Sequence, residues 1–138
     1  MAVNTQFSIA VHILAGLGYH CSGHVPSSRL ARSVNTSPSF VRRVLAKLSK
    51  AGLVQTAKGK AGTCWLAKDP ERISLLDVYQ AVDAPKAFAL HNYPADKSCA
   101  VSCHIKAALE KVQDKSQKAL EKSLGQISLA SVIADTRK

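Results

Sequence analysis

The sequence predicts a mostly α-helical fold with one small β-hairpin. Its 138 residues are 46% hydrophobic but only 5% aromatic, so Leu, Val, Ile and Ala must fill most of the core, as is common in helical proteins. Apolar residues recur three and four positions apart in several segments, which is the spacing of one helix face. Two β-prone runs flank a glycine-containing stretch near the middle of the chain, and this indicates the hairpin.

A chain of this length has room for one compact domain, or for one small domain with an extended element. The longest apolar stretch, Phe7 to Leu17, is much shorter than the roughly 20 residues that a membrane-spanning helix needs. No cationic segment precedes it and no small-residue cleavage site follows it. We therefore expect a cytoplasmic protein with neither a membrane anchor nor a signal peptide.

Two helices are expected before residue 35. The first spans Phe7 to Leu17, whose apolar residues lie on more than one side, so it should be buried on several faces. A loop between Gly18 and Gly23 separates it from a second helix, which starts near Pro26 and is about two turns long.

The third helix has the clearest start in the chain. Ser37 can cap its free amides, Pro38 suits its first turn, and Gly52 is a good stop. Its apolar face consists of Val41, Val44, Leu45 and Leu48. Only two residues separate it from the second helix, and these are the proportions of a helix-turn-helix.

The hairpin follows the third helix directly. Residues 53–57 and 63–66 are the β-prone runs, and residues 58–62 between them include two glycines. A hairpin in this place is a wing. The predicted fold class is therefore mostly α, with a winged helix-turn-helix and a two-stranded wing.

The second half of the chain is expected to hold a capped helix, a loop, a long helix and a short terminal helix. The capped helix runs from Ser74 to Pro85, the loop spans 87–98, the long helix spans 101–124, and the terminal helix spans 128–133. The long helix has a narrow stripe of apolar and small residues, called its apolar stripe below: Ile105, Leu109, Val112, Ser116, Ala119 and Leu120. Such a stripe suits packing against another helix, most simply its symmetry mate.

Positive charge is concentrated in the first 68 residues. They contain nine Lys and Arg and no Asp or Glu, whereas the remaining residues contain ten basic and nine acidic side chains. The first part thus carries +9 of the net charge of +10. Excess charge confined to one stretch favours a surface for a polyanion, and nucleic acid is the commonest such partner. A merely solvated face is the alternative, but such faces usually mix both signs.

The basic residues of the third helix should be exposed if its apolar residues face the core. A helix in the major groove of DNA needs long donors for base edges, with cations nearby for phosphates. We assign Ser39, Arg42 and Arg43 to base or near-base contacts. The predicted phosphate contacts are Ser27, Ser28, Ser37, Lys47 and Lys50, while Lys58 and Lys60 at the wing tip reach the backbone or the adjacent minor groove.

Several short motifs occur in a characteristic order. They are Val25-Pro26-Ser27-Ser28, Asn35-Thr36-Ser37-Pro38, Val41-Arg42-Arg43-Val44-Leu45, Lys50-Ala51-Gly52-Leu53-Val54, Trp65-Leu66-Ala67 and Ile73-Ser74-Leu75-Leu76-Asp77-Val78. In this order they resemble the Rrf2 family of bacterial winged-helix transcription regulators, over nearly the whole chain. The resemblance implies a homodimeric DNA-binding protein, usually a repressor, whose long C-terminal helix crosses its mate. We divide the chain into a DNA-binding domain at 1–85 and a sensing loop with a dimerisation helix at 86–138.

The cysteines near residue 100 depart from one pattern of that family. Several members hold an iron-sulfur cluster through three cysteines in the loop before the long helix, but this chain has only Cys99 and Cys103 there, followed by His104. A cluster would have to recruit His104, His91, Asp96 or a residue of the second subunit.

The same segment more closely resembles a family branch with a single cysteine at the position of Cys99 and no cluster, which implies thiol oxidation as the signal and no cofactor. Thiols near helix N-termini can react with oxidants, and we expect Cys99 at such a start. Two alternatives stay open: a metal or iron-sulfur site formed by Cys99, Cys103 and His104, and a simple packing role for both cysteines.

Two further cysteines have local interpretations. Cys64, beside Trp65, is expected to pack in the core. Cys21, flanked by His20 and His24, could join a metal site, although histidines in loops are more often plain surface residues.

An enzyme is the competing class of function. A small thiol oxidoreductase could use Cys99 and Cys103 as a redox pair. The sequence lacks, however, the helix-opening C-x-x-C of thioredoxin-like proteins and the common nucleotide-binding and hydrolase motifs. We therefore expect a sequence-specific transcription regulator that binds an inverted repeat, and no enzyme.

Overall fold

The computed structural model describes residues 4–20, 24–57 and 62–137. They form two compact units. The first unit combines the chain up to Ala84 with the chain from Leu124 onward, and the second is Pro85–Ser123. The functional division between 1–85 and 86–138 stays a prediction, because this grouping reports packing alone.

The expected helices and strands occur in the expected order, together with a short first strand and a 3-10 turn that the sequence did not indicate. They are α1 (Gln6–Tyr19), β1 (Val25–Pro26), α2 (Ser27–Val34), α3 (Pro38–Lys50), β2 (Val54–Thr56), β3 (Thr63–Leu66), a 3-10 turn (Pro70–Arg72), α4 (Leu75–Ala81), α5 (Ala100–Gly125) and α6 (Leu129–Thr136). The mostly helical winged helix-turn-helix is confirmed. Three predicted helix ends were wrong: α1 continues through Gly18 to Tyr19, α4 stops at Ala81, short of Pro85, and α6 continues past Ile133 to Thr136.

Both ends of α3 are fixed by local signals. The Ser37 hydroxyl accepts a hydrogen bond from the Phe40 amide at 3.2 Å, and Pro38 occupies the first turn. At the other end Gly52 has a φ of 79°. The amide of Gly52 donates to Ser49 O, and the amide of Leu53 donates to Leu48 O, both at 3.0 Å. This bonding pattern is a Schellman motif, which requires a left-handed residue and so favours glycine.

The wing sheet has three strands in the order β1-β3-β2, all antiparallel. The predicted hairpin is its β2-β3 part, whereas β1 was not predicted. That strand is only two residues long, and Pro26, which pairs with Thr63, cannot donate a ladder hydrogen bond. Both strands of the predicted two-stranded wing are present, and β1 adds a third strand beside β3. The tip, residues 58–61, lies outside the described residues.

One hydrophobic core joins the elements of the first unit. From α1 it takes Ala10, Ile13, Leu14 and Leu17, all buried. Leu129 and Ile133 of α6 belong to the same core. The backbone amide of Leu129 also donates to Ile73 O at 2.8 Å, so α6 is attached to the chain just before α4.

The second unit consists of the loop after α4 and most of α5. Two glutamines of α5 hold the loop: Gln113 Nε2 donates to Phe88 O, and Gln117 Oε1 accepts from the Ala87 amide, both at 2.9 Å. None of the residues of α5 is buried, and Val112 in its apolar stripe is 49% exposed.

Among the helices formed by the described residues, none combines the length and apolar character needed to cross a lipid bilayer.

Two glycines of α1 provide a test of how closely α6 packs. A methyl group at Gly18 would overlap Ile133 Cδ1 and touch Leu66 Cδ1 at 3.4 Å, whereas one at Gly16 would make an ordinary 3.5 Å contact with Leu30 Cδ2. Because Ile133 Cδ1 is the free end of a side chain and can move aside at modest cost, we expect Gly18→Ala to lower the free energy of unfolding by about 1 kcal/mol, the lower end of the range for overpacking. Gly16→Ala, the matched control, should be neutral or raise it by up to about 1 kcal/mol through helix propensity. Urea unfolding followed by circular dichroism measures both, and equal stability of the two variants would contradict the packing.

Candidate nucleic-acid interface

The exposed side of α3 is strongly basic. Its four apolar residues are buried, while Arg42, Arg43, Lys47 and Lys50 are exposed, as is Ser39 in the first turn. No acidic residue occurs in the first 68 positions, so no carboxylate from that part of the chain can neutralise these cations. The expected separation of a buried apolar face from an exposed basic face is confirmed.

Arg43 is held by an aromatic neighbour. Its guanidinium carbon lies over the ring of Phe40, 5.2 Å from the ring centroid. Phe40 is itself partly buried and packs against the core. A cation over an aromatic face at this distance is attracted electrostatically, so the contact restricts the guanidinium while leaving it at the surface.

Lys47 is held by the first helix. Its ammonium group donates a hydrogen bond to Gln6 Oε1 at 2.6 Å, which places the amino end of α1 beside the exposed face of α3. Sequence reasoning missed Gln6 as part of this surface. The two residues are 41 positions apart, and no local pattern signals such a contact.

The three serines predicted to contact phosphates have different surroundings. Ser28 is exposed and Ser27 is partly buried, at the start of α2. Ser37 is exposed, and its hydroxyl caps α3 and lies 3.4 Å from Ser39 Oγ. A hydroxyl that accepts one hydrogen bond still has a proton to donate, so capping does not prevent a contact with a phosphate. Lys58 and Lys60 lie outside the described residues.

The base of the wing is tied to the helix-turn-helix. The Ser27 amide donates to Gly62 O at 3.2 Å, and Val25 pairs with Cys64 in the sheet. On the outer side of the sheet, the rings of His24 and Trp65 stack at 4.2 Å with an angle of 10°. These contacts connect α2 and the wing through backbone and side chains.

Cys64 is a core residue, as predicted. It is fully buried, and its thiol donates to Val25 O at 3.4 Å. Burial raises the pKa of the Cys64 thiol to about 11, because the surroundings disfavour the thiolate. The thiol is therefore protonated and inert at neutral pH. Cys21, the other cysteine outside the loop, falls beyond the described residues.

Cys99 and Cys103 lie at the start of α5, and both are exposed. Cys99 directly precedes the helix, and its sulfur accepts a hydrogen bond from the Ser102 amide at 3.4 Å, as an N-cap side chain does. Cys103 Sγ lies 3.6 Å from Asp96 O. The expected position of Cys99 at a helix start is confirmed.

Asp96 organises the turn before α5. Its carboxylate accepts hydrogen bonds from the Ser98 hydroxyl at 2.7 Å and the Ser98 amide at 3.0 Å. The hydroxyl bond and then the amide bond lower the pKa of Asp96. The Asp96 amide donates to Ser102 Oγ at 2.7 Å, so the turn and the first turn of the helix support each other.

A metal or iron-sulfur site does not fit these donors. Nowhere in residues 4–20, 24–57 and 62–137 do three His, Cys, Asp or Glu side chains come together closely enough to hold a metal ion. Cys99, Cys103 and His104 therefore do not form a site within one chain. The donor set offers two thiols where a cluster ordinarily takes four ligands.

Comparison with known proteins gives consistent matches over the full fold. The chain matches the model of the Rrf2 family, described as iron-dependent transcriptional regulators, over residues 3–135. It is 37% identical over 132 residues to a Bacillus subtilis (strain 168) protein named as the HTH-type transcriptional regulator YwnA, covering 95% of this chain and 96% of that protein.

Two solved structures are similar to it. One, described as a DNA-binding protein, has a TM-score of 0.72 and 34% identity, covering 93% of this chain and 98% of the other. The second, described as a transcriptional regulator from Lactobacillus plantarum, has a TM-score of 0.80 and 25% identity, covering 96% of this chain and 90% of the other. The similarity thus extends over the helix-turn-helix, the wing and α5.

Proposed function

This chain belongs to the Rrf2 family of transcriptional regulators, and on that premise we propose that it is a cytoplasmic repressor. In this proposal it binds an inverted repeat as a homodimer and responds to oxidants through Cys99. The family consists of regulators and not of enzymes, so the alternative of a small thiol oxidoreductase is set aside.

The observation that carries the proposal is the exposed basic face of α3. Ser39, Arg42 and Arg43 lie in the half of α3 nearest its amino end, where a recognition helix contacts base edges. Arginine presents several donors in a fixed plane and binds O6 and N7 of guanine in a bidentate manner. Lys47 and Lys50 follow one and two turns later, where point charges suit phosphates.

The flanking elements add further phosphate contacts in this proposal. Ser27 and Ser28 begin α2, and Ser37 precedes α3, so their hydroxyls lie beside free amides at helix N-termini, which favour anions. In sequence, Lys58 and Lys60 fall between β2 and β3, and in this proposal they contact the DNA backbone or the adjacent minor groove.

Substitution in α3 separates base contacts from phosphate contacts. With a duplex from the region upstream of the protein's own gene, Arg42→Ala and Arg43→Ala should each cost about 1–3 kcal/mol of discrimination against base changes. Lys50→Ala should weaken all duplexes alike and lower the slope of log K against log salt by about one. Fluorescence anisotropy over a range of salt concentrations measures both effects.

Lys118→Ala, which removes an exposed cation of α5, is the matched control and should leave affinity and slope unchanged. Salt-independent binding by the unmodified protein would contradict the proposed interface.

The apolar stripe of α5 supports the homodimer. This helix has 26 residues, and not one of them is buried within the chain, although most residues of the stripe around Val112 are apolar. A stripe of this kind is stabilised when a second helix covers it. Residues 69–138 carry a net charge of only +1, so two copies of this part of the chain would not repel each other strongly.

A charge placed in the stripe tests the dimer. Val112→Asp should shift the protein from dimer to monomer in sedimentation experiments, because the proposed contact would bury the new carboxylate. Loss of the second DNA-reading unit should then weaken operator binding by roughly 100-fold or more. Lys111→Asp introduces the same side chain beside the stripe and should stay dimeric. If both variants remain dimers, the stripe is not the interface.

Cys99 is the proposed sensor because it is exposed and its sulfur caps α5. Hydrogen peroxide would transfer one oxygen to the Cys99 thiolate, giving a sulfenic acid and hydroxide. The Cys103 thiol, one helical turn later, could then displace water to form a disulfide. Either product alters the Cys99 sulfur, which accepts a hydrogen bond from the Ser102 amide, and so perturbs the start of α5.

Oxidation of Cys99 should weaken DNA binding by about 2- to 30-fold. This factor corresponds to the free energy that one helix cap contributes. Peroxide titration of anaerobically purified protein, read by anisotropy, measures the change. Cys99→Ser keeps a capping side chain but cannot be oxidised, so this variant should bind DNA normally and ignore peroxide. Cys64 is the internal control, and mass spectrometry should show that peroxide leaves it unmodified. A brown protein with charge-transfer absorption would instead establish a cluster and overturn the thiol mechanism.

A further inference from the structure

We propose that Phe40 is a positioning residue for DNA recognition, and that its hold on the guanidinium makes Arg43 the principal sequence-reading arginine of α3. The proposal rests on the DNA-binding function proposed above and specifies how its recognition helix discriminates between base pairs. Arg42, which has no such restraint among the described residues, contacts base edges as well but discriminates less strongly between base pairs than Arg43 does.

The ring of Phe40 is itself well placed to restrain a neighbour. The Ser37 cap fixes its backbone amide, and one part of the side chain packs against the core. The remaining exposed part of the ring faces Arg43, three residues later on the same side of the helix, at 5.2 Å. Phe40 therefore joins the immobile core to a mobile cation.

Restraint of the Arg43 guanidinium favours discrimination between base pairs. A free arginine loses many rotamers when it binds a base, whereas one already held in place loses fewer. The contact with the ring requires none of the N–H donors, so they remain available to the O6 and N7 acceptors of guanine. A side chain with a fixed position also adapts less readily to a wrong base.

The four cations of α3 fall into two pairs by this criterion. Arg43 is held by Phe40 and Lys47 by Gln6, whereas Arg42 and Lys50 make no hydrogen bond, ion pair or ring contact within the described part of the chain. Of the two held cations, only Arg43 has the planar, multiple-donor head group that reads a base. The geometry thus distinguishes Arg43 from its exposed neighbour Arg42.

The test begins with a duplex selected by the full-length protein from a randomised library. Every single base-pair change in that duplex is then measured against wild type, Phe40→Leu, Phe40→Tyr, Arg43→Ala and the double variant. We expect Phe40→Leu to reduce discrimination about two- to fivefold, the range of an exposed cation–π contact, and only at the base pairs where Arg43→Ala also reduces it. Phe40→Tyr keeps the ring and should retain discrimination.

Coupling provides the decisive comparison. In the Arg43→Ala background, Phe40→Leu should have no further effect on discrimination, whereas in the Arg42→Ala background it should keep its full effect. Urea unfolding of each variant separates this result from a general loss of structure, which would weaken all duplexes alike. Additive effects of Phe40→Leu and Arg43→Ala, or equal coupling to Arg42, would overturn the role of Phe40. If the wild-type protein selects no duplex, the proposed DNA-binding function itself fails.

Discussion

Burial of one side of α3 is the constraint on which its exposed basic face depends. Val41, Val44, Leu45 and Leu48 lie in a core that also takes residues from α1, the wing and α6. Because a helix has only one opposite side, this burial determines that the arginines and lysines between those residues face solvent. The hydrophobic effect that folds the first unit therefore also orients its charges.

Two cations of α3 have neutral partners, in keeping with the absence of acidic residues from the first part of the chain. A basic helix surrounded by carboxylates would satisfy its cations internally, but the first 68 residues supply none. Lys47 and Arg43 instead contact neutral partners, the amide of Gln6 and the ring of Phe40. Such partners restrain the position of a cation and leave its charge intact, which suits a surface that must attract a polyanion.

Features fixed by residues close together in the chain could be predicted from the sequence, whereas features that depend on contacts between distant residues could not. Ser37, Pro38 and Gly52 act within a few residues, so the ends of α3 could be predicted closely. Strand β1 could not be predicted, because two residues are too few to show a periodic pattern and only its pairing with β3 defines it. The contact between Gln6 and Lys47 depends on how α1 packs across α3, which no local pattern reports. Spacing alone could have indicated the pair formed by Phe40 and Arg43, since residues three apart share a helix face.

Strand β1 has a mechanical consequence. It runs directly into α2 and pairs with the central strand of the wing, and the Ser27 amide adds a hydrogen bond to Gly62. Helix-turn-helix and wing are thereby tied together by backbone hydrogen bonds, which restrain changes in the distance between them. In the proposed dimer on an inverted repeat, a signal would therefore act through the spacing or orientation of the two DNA-binding units, and not through the distance between helix and wing within one unit.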